Sequence, residues 1–218
     1  MIYLASQSPQ RTRLLSEHGI DHIIVTSRQD EEAVHHPLPA ALAAARARAK
    51  ARSADLGSGR RDWRQGDAVL GADTVVALGN RVFGKPRCDD EAAHTLAALA
   101  GNTHTVITAH CLWTPTAEVE GLAFSRVLLR ALSRDEIAAY VATGESRGRA
   151  GAYAIQGAGG QLVECLQGDF DTVVGLNVRL VRSLYDRLVG PRSVGPRSVG
   201  PRSVGPPTAR PIGGDQMC

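Results

Sequence analysis

The chain has 218 residues, of which 43% are hydrophobic and only 4% are aromatic. This composition supplies a hydrophobic core, so it excludes a wholly disordered chain and a disulfide-stapled miniprotein. The formal net charge is +3, from 25 basic and 22 acidic side chains. Four arginines and one aspartate beyond residue 189 account for all of it, and residues 1–189 hold 21 basic and 21 acidic side chains. The charge therefore does not indicate nucleic-acid binding by the body of the protein.

We expect neither a signal peptide nor a membrane-spanning segment in this sequence. Residues 1–6 lack the basic start and the long apolar stretch of a signal peptide. No apolar run reaches the roughly 18 residues that a membrane-spanning helix needs. The four cysteines lack C-x-x-C spacing, so neither a zinc site nor a thioredoxin motif is indicated. We therefore expect a cytoplasmic protein.

The predicted elements alternate between strands and helices along the chain. A short β-prone segment at residues 2–5 precedes a helix that begins at Ser8-Pro9, because serine favours the N-cap and proline the first helical position. Further strands are predicted at residues 20–26, 68–78, 103–113, 120–132 and 162–166, and further helices at residues 38–54, 89–100, 134–143 and 175–188. Ser133 and Glu136 have the spacing of a capping box. This order predicts an α/β domain with a mixed sheet.

A short repeat distinguishes the end of the chain. Residues 190–204 are three copies of Gly-Pro-Arg-Ser-Val, a composition that builds neither a helix nor a core. We therefore predict one domain at residues 1–189 and a disordered tail at residues 190–218. A weak polyanion-binding arm remains an alternative for the tail, because its net charge is positive.

Three segments contain residue types that suit a phosphate-bearing ligand. Ser6 to Arg11 joins a predicted strand to a predicted helix, and a helix N-terminus together with an arginine binds phosphate. Asp73 interrupts an apolar strand, where a carboxylate is costly unless it is paired or binds a metal. We expect Asp73 at the end of its strand with Gly71 opening space beside it, and a backbone-capping role remains an alternative. Lys85, in the turn Gly84-Lys85-Pro86, supplies a point charge for a phosphate.

These three segments belong to a set of five that occurs in order between residue 2 and about residue 188. The five are Leu4-Ala5-Ser6-Gln7-Ser8-Pro9-Gln10-Arg11, Gly71-Ala72-Asp73-Thr74-Val75-Val76, Gly84-Lys85-Pro86, Gly148-Arg149-Ala150-Gly151-Ala152-Tyr153-Ala154-Ile155-Gln156-Gly157 and Gly168-Asp169-Phe170-Asp171-Thr172-Val173-Val174-Gly175-Leu176. Together they closely resemble the Maf family of nucleoside triphosphate pyrophosphatases. The repeat tail lies outside this resemblance.

The resemblance implies an enzyme that hydrolyses a nucleoside triphosphate, dTTP, UTP or a modified relative, to the monophosphate and pyrophosphate. It implies a divalent cation, Mg²⁺ or Mn²⁺, as cofactor. It also implies an elongated mixed β-sheet flanked by helices, related to the inosine-triphosphate pyrophosphatases, in a cytoplasmic homodimer. The expected partner is the nucleotide substrate, with no membrane and no specific nucleic acid.

The resemblance also assigns roles to individual residues. Asp73 matches the family's proposed proton acceptor and is the catalytic candidate. Asp73 and Glu31, which follows Asp30 near the family's acidic motif, are the metal candidates. The substrate-binding candidates are the phosphate-contacting Arg11 and Lys85, the base-selecting Thr74 and Gln156, Ser8 of the first motif, and Arg46, which replaces the lysine of the family's L-A-x-x-K-A helix.

One departure from the family pattern bears on substrate choice. The residue after the first-motif proline is arginine in the thymidine/uridine branch and tryptophan in the 7-methyl-GTP branch, whereas here it is Gln10. A non-catalytic nucleotide-binding protein, or an interaction protein linked to cell division, remains the alternative to an enzyme.

Overall fold

The structure, a computed structural model, describes residues 1–28, 30, 33–57 and 63–190. Its strands are, in chain order, β1 (Ile2–Leu4), β2 (His22–Ile24), β3 (Thr26–Ser27), β4 (Ala54–Asp55), β5 (Ala68–Leu78), β6 (Arg81–Phe83), β7 (Thr103–Trp113), β8 (Glu118–Leu129) and β9 (Val163–Gln167). Its α-helices are α1 (Pro9–Glu17), α2 (Pro39–Arg52), α3 (Asp89–Leu99), α4 (Arg134–Ala142), α5 (Phe170–Val174) and α6 (Val178–Val189).

Seven of the strands form one mixed sheet, in the order β2-β1-β5-β7-β8-β9 with β6 paired to β5. β1 is parallel to β2 and to β5, and the other neighbours are antiparallel. On one side β5 pairs with β7 along residues 69–77. On its other side β5 pairs with β1 at residues 68–70 and with β6 at residues 76–78. Residues 71–75 of β5 therefore lie in a gap between the end of β1 and the start of β6.

Helices cover both faces of this sheet because successive side chains of β5 alternate between them. Leu70 and Ala72 pack with residues of α1 and α6 on one face. Val69 and Val75 pack with the alanines of α2 on the other face. A third apolar core joins α3, α4 and β6 to the far part of the sheet. Among the described helices, none is long and apolar enough to cross a membrane.

Gly71 sets the distance between α2 and β5. A Cβ atom at this position would lie 2.2 Å from the Ala47 carbonyl oxygen and 2.6 Å from the Ala51 nitrogen. The backbone of α2 therefore occupies the space that a side chain at residue 71 would need. Our expectation that Gly71 opens space for a ligand was wrong, because a helix fills that space.

The predicted fold class is confirmed as a mixed α/β sheet flanked by helices, and strands 68–78 and 103–113 have the predicted bounds. The predicted position of Asp73 was wrong, because Asp73 lies in the middle of β5. The strand that ends near Asp73 is its neighbour β1. Asp73 therefore lies within a continuous strand and still lines an opening. The sequence patterns also missed β4, β6 and the short helix α5, and the helix predicted at residues 175–188 begins later, after its N-cap residue Asn177.

Candidate active site

A cleft of about 1400 Å³ lies along the gap in the edge of the sheet. Its walls come from the start of α1, the gap residues of β5, the turn after β6 and the glycine-rich segment at residues 145–157. The described candidates from the sequence all line it: Ser8, Arg11, Arg46, Asp73, Thr74, Lys85 and Gln156. Glu31 lies outside the described residues, and so do residues 191–218 of the predicted tail.

Arg11 joins three parts of the fold at one wall of the cleft. Its Nε donates to the Gly175 carbonyl oxygen at 2.8 Å, and its two Nη atoms donate to Ser6 Oγ at 3.0 Å and to Thr74 Oγ1 at 3.2 Å. Thr74 Oγ1 lies 3.0 Å from Thr108 Oγ1, which donates to the Thr172 carbonyl oxygen. The guanidinium is therefore held in one orientation before any ligand binds.

Ser8 is the N-cap residue of α1, and Pro9 occupies the first helical position as predicted. The Ser8 side chain does not cap the helix. Its Oγ instead donates to Gln10 Oε1 at 3.1 Å. The N-terminal turn of α1 therefore presents a hydroxyl, a carboxamide and backbone N–H groups to the cleft, which suits an anionic ligand.

Asp73 forms a buried ion pair with Lys50 of α2. Lys50 Nζ lies 2.7 Å from Asp73 Oδ1 and donates to the Ala72 carbonyl oxygen at 3.3 Å. The side chains of Lys50 and Asp73 are only 8% and 6% exposed. The other carboxylate oxygen, Asp73 Oδ2, is buried and has no hydrogen-bond partner. Because a buried, unpartnered carboxylate oxygen is costly, Oδ2 is the atom of this site that most needs a ligand.

Arg46 and Lys85 are two of the further cations that line the cleft. Arg46 lies one helical turn before Lys50, and its Nη2 donates weakly to the Val34 carbonyl oxygen at 3.4 Å. Its Nε is buried without a hydrogen-bond partner. Lys85 follows β6 and lies in the same cleft. The cleft is therefore lined by several cations although residues 1–189 are neutral as a whole.

The segment that contains Gln156 is held by Glu145. Glu145 Oε1 accepts the Ala158 N–H at 3.1 Å, and Oε2 accepts the Gly159 N–H at 3.2 Å. Tyr140 donates its hydroxyl to Glu145 Oε2 at 3.4 Å and accepts the Ala154 N–H at 3.0 Å. Burial raises the pKa of Tyr140 to about 12, so this hydroxyl keeps its proton at neutral pH. These contacts on both sides of Gln156 fix the course of its backbone.

Asp73 fits the role of a metal ligand. Its Oδ2 is a hard oxygen donor of the kind that Mg²⁺ and Mn²⁺ prefer, and it lacks any other partner. Another group of potential ligands among the described residues, Cys111, Glu118 and Glu120, does not line the cleft. Both of its carboxylates are paired with arginines of α2, and burial raises the pKa of the Cys111 thiol well above its usual range.

Sequence reasoning missed Lys50 and Glu145. Lys50 had a recognisable signal, because α2 buries residues 42, 43, 47, 50 and 51 with helical spacing and a lysine on such a face needs a buried partner. It is also one of only two lysines in the chain. Glu145 had no comparable signal, since its partners are backbone N–H groups brought to it by the turns of residues 150–160.

Comparison with known proteins supports one family. A family model described as "Maf-like protein" matches residues 1–188. A dTTP/UTP pyrophosphatase from Chelativorans sp. (strain BNC1) is 42% identical over 186 residues, which cover 84% of this chain and 88% of the relative.

Two other relatives show similar agreement. A dTTP/UTP pyrophosphatase from Moorella thermoacetica is 44% identical over 185 residues, covering 84% of this chain and 92% of the relative. A nucleoside triphosphate pyrophosphatase from Prochlorococcus marinus (strain MIT 9303) is 42% identical over 183 residues, covering 84% and 96%.

Proposed function

Because this chain belongs to the family of Maf-like proteins, we propose that its cleft hydrolyses a nucleoside triphosphate to the monophosphate and pyrophosphate. The substrate class follows from the relatives, several of which are named dTTP/UTP pyrophosphatase. The observation that carries the proposal is the meeting of Arg11, Asp73 and Lys85 in one cleft, although they lie far apart in the sequence.

The cations act on the triphosphate. Cleavage between the α and β phosphates spreads charge over the non-bridging oxygens, so fixed positive groups lower the barrier. Arg46 and Lys85 neutralise the phosphate chain, and the N–H groups at the start of α1 bind one end of it. Arg11, already oriented by three hydrogen bonds, adds a cation that needs no reorganisation.

Asp73 orients the attacking water or holds the metal beside it. Oδ2, the unpartnered oxygen, would accept a proton from water in the first case and would hold the cation in the second. Asp73, with Glu31 as the second candidate, would hold Mg²⁺ or Mn²⁺. A divalent cation bound there supplies a Lewis acid for the phosphate oxygens and lowers the pKa of a bound water.

Gln156 and Thr74 are the candidates for recognition of the base. A carboxamide offers both a donor and an acceptor, which matches the adjacent N–H and carbonyl of uracil or thymine. Glu145 supports this role because it fixes the backbone on one side of Gln156. We therefore expect a preference for dTTP and UTP. Gln10 is the residue at which this chain departs from the thymidine/uridine branch of the family.

We also propose that residues 1–189 form the catalytic unit of a cytoplasmic homodimer. The family resemblance supports this assembly, and Leu122 and Phe124 of β8 leave exposed apolar surface, with Phe124 52% exposed. Sedimentation at micromolar concentration would distinguish a dimer from a monomer.

A nucleotide panel tests the proposed chemistry. Purified protein with Mg²⁺ or Mn²⁺ is expected to release pyrophosphate from dTTP or UTP faster than from purine nucleotides. Asp73→Asn should lower kcat by at least about 100-fold, since a neutral carboxamide neither accepts a proton nor binds the cation well. If no nucleotide yields pyrophosphate while Asp73→Asn binds nucleotide like the parent, the non-catalytic alternative is supported instead.

A further inference from the structure

We propose that Lys50 is a positioning residue that occupies Asp73 Oδ1 and so leaves Oδ2 as the single oxygen available to the metal or the water. The inference rests on the proposed function, because it assigns a role within the same site. None of the sequence patterns that identified the site includes Lys50. Its role follows from the ion pair with Asp73 and from the way α2 approaches β5.

The geometry restrains the carboxylate at two points. The Lys50 ammonium lies 2.7 Å from Oδ1, and it also donates to the carbonyl oxygen of Ala72, the residue before Asp73. An ammonium bound to both the side chain and the adjacent backbone limits rotation of the carboxylate. Both side chains are almost fully buried, so water does not compete for this contact.

The position of Lys50 depends on Gly71. The close approach of Ala47 and Ala51 to Gly71 brings the last turns of α2 against β5. Lys50 lies between these two alanines in the sequence and on the same buried face of α2. The helix therefore delivers the ammonium to Asp73 from the face opposite to that of Arg11, which contacts Thr74.

The charge of Lys50 also affects how tightly a metal would bind. A cation on Oδ2 would lie within a few ångströms of the Lys50 ammonium, and like charges at that separation repel. Lys50 therefore weakens metal binding while it prevents Asp73 from coordinating through both oxygens. Without Lys50 the carboxylate would be free to turn and to hold the metal through both oxygens, so the metal would bind more tightly but in a less defined position.

Lys50→Met tests the inference, since methionine retains the unbranched apolar stem and removes the charge. Binding of Mn²⁺ alone, measured by electron paramagnetic resonance without nucleotide, should become about tenfold tighter. With dTTP or UTP, kcat should fall by about tenfold or more while KM changes less than threefold. A merely structural role would not tighten Mn²⁺ binding.

Arg52→Met is the matched control. Arg52 lies on the same helix, and its guanidinium pairs with Glu118 outside the cleft. This variant should bind Mn²⁺ and hydrolyse nucleotide like the parent. Unchanged or weaker Mn²⁺ binding in a folded Lys50→Met protein would overturn the inference. Because Mn²⁺ binding needs no turnover, this result stays interpretable even if no nucleotide is hydrolysed.

The parent protein offers a second measurement if Lys50→Met does not fold. The chain has only two lysines, Lys50 and Lys85, so lysine labelled with ¹³C at Cε gives two side-chain signals. Under the inference, Mg²⁺ leaves the Lys50 signal close to its metal-free position, because the ammonium remains on Oδ1, and trace Mn²⁺ broadens it strongly. Movement of the Lys50 signal to that of a solvent-exposed lysine on Mg²⁺ addition would show displacement from Asp73 and contradict the inference.

Discussion

Thr108 illustrates how a single buried hydroxyl supports the cleft. It is fully buried and lies between the Thr74 hydroxyl and the Thr172 carbonyl oxygen. Thr74 in turn accepts a hydrogen bond from Arg11. The orientation of the arginine therefore depends on a residue that does not line the cleft.

Thr108→Val retains the shape of the side chain and removes this hydroxyl. Leaving the buried Thr172 carbonyl oxygen without its donor should lower the free energy of unfolding by about 1–3 kcal/mol. The value of kcat/KM should also fall, because Thr74 and Arg11 lose a fixed neighbour. Urea denaturation measures the change in stability, and steady-state kinetics measure the change in kcat/KM. An unchanged kcat/KM in a destabilised protein would show that Thr108 stabilises the fold without affecting the cleft.

At the scale of elements, β7 carries two buried histidines. Burial lowers the pKa of His104 to about 4. The pKa of His110 is lowered to about 3, mainly by burial and to a lesser extent by the positive charge of Arg11. His104 Nε2 contacts the Tyr153 hydroxyl at 2.9 Å, and His110 Nε2 accepts the Asn177 N–H at 3.0 Å. Both rings are therefore neutral inside the folded protein.

These histidines should make the fold acid-sensitive. Below the ordinary histidine pKa of about 6.5 the unfolded chain binds protons that the folded state excludes. The free energy of unfolding should then fall, between about pH 6 and pH 4, by up to roughly 1.4 kcal/mol per pH unit for each histidine. Urea denaturation at several pH values measures this slope. His104→Gln should flatten it, whereas the same change at the exposed His94 should not.

The contact between α2 and β5 leads to a prediction at Gly71. Gly71→Ala places a methyl group against the α2 backbone, and overpacking of this kind should destabilise the protein by more than about 2 kcal/mol. The substitution should also lower kcat, because a displaced α2 would move Lys50 away from Asp73. Gly84→Ala is the control, because open space surrounds that position. Equal stability of the two variants would show that α2 can shift without cost.

For the whole molecule, the positive charge has two separate locations. The net charge of +3 belongs to residues 190–218, whereas the cleft is lined by cations of an otherwise neutral body. The comparison with the family ends at residue 188, near the end of α6. Substrate binding and any binding of polyanions should therefore be separable by truncation.

A chain that ends at residue 189 should keep its melting temperature and its rate of nucleotide hydrolysis. Salt-sensitive retention on heparin should decrease, because four arginines are removed with the tail. Chromatography over a salt gradient and a kinetic assay compare the two proteins. Heparin binding that survives the truncation would locate the polyanion site in residues 1–189.

The sequence by itself predicted much of the local structure and the composition of the cleft. The strand at residues 68–78, the capping box at Ser133 and Glu136 and the start of α1 were predicted correctly, because periodicity and capping depend on neighbouring residues. The ordered motifs likewise named several residues that line the cleft, among them Arg11, Asp73 and Lys85, although they did not include Lys50 or Glu145. Motif matching needs no knowledge of their distances from one another.

Only the tertiary structure decided what surrounds Asp73. The opening beside it exists because β1 ends before the middle of β5 and β6 begins after it, a pairing that no single segment encodes. The partner of Asp73 is likewise decided by packing, since Gly71 admits α2 closely enough for Lys50 to reach the carboxylate. Residue type and spacing identify which groups are present. Their partners and orientation depend on contacts between distant parts of the chain.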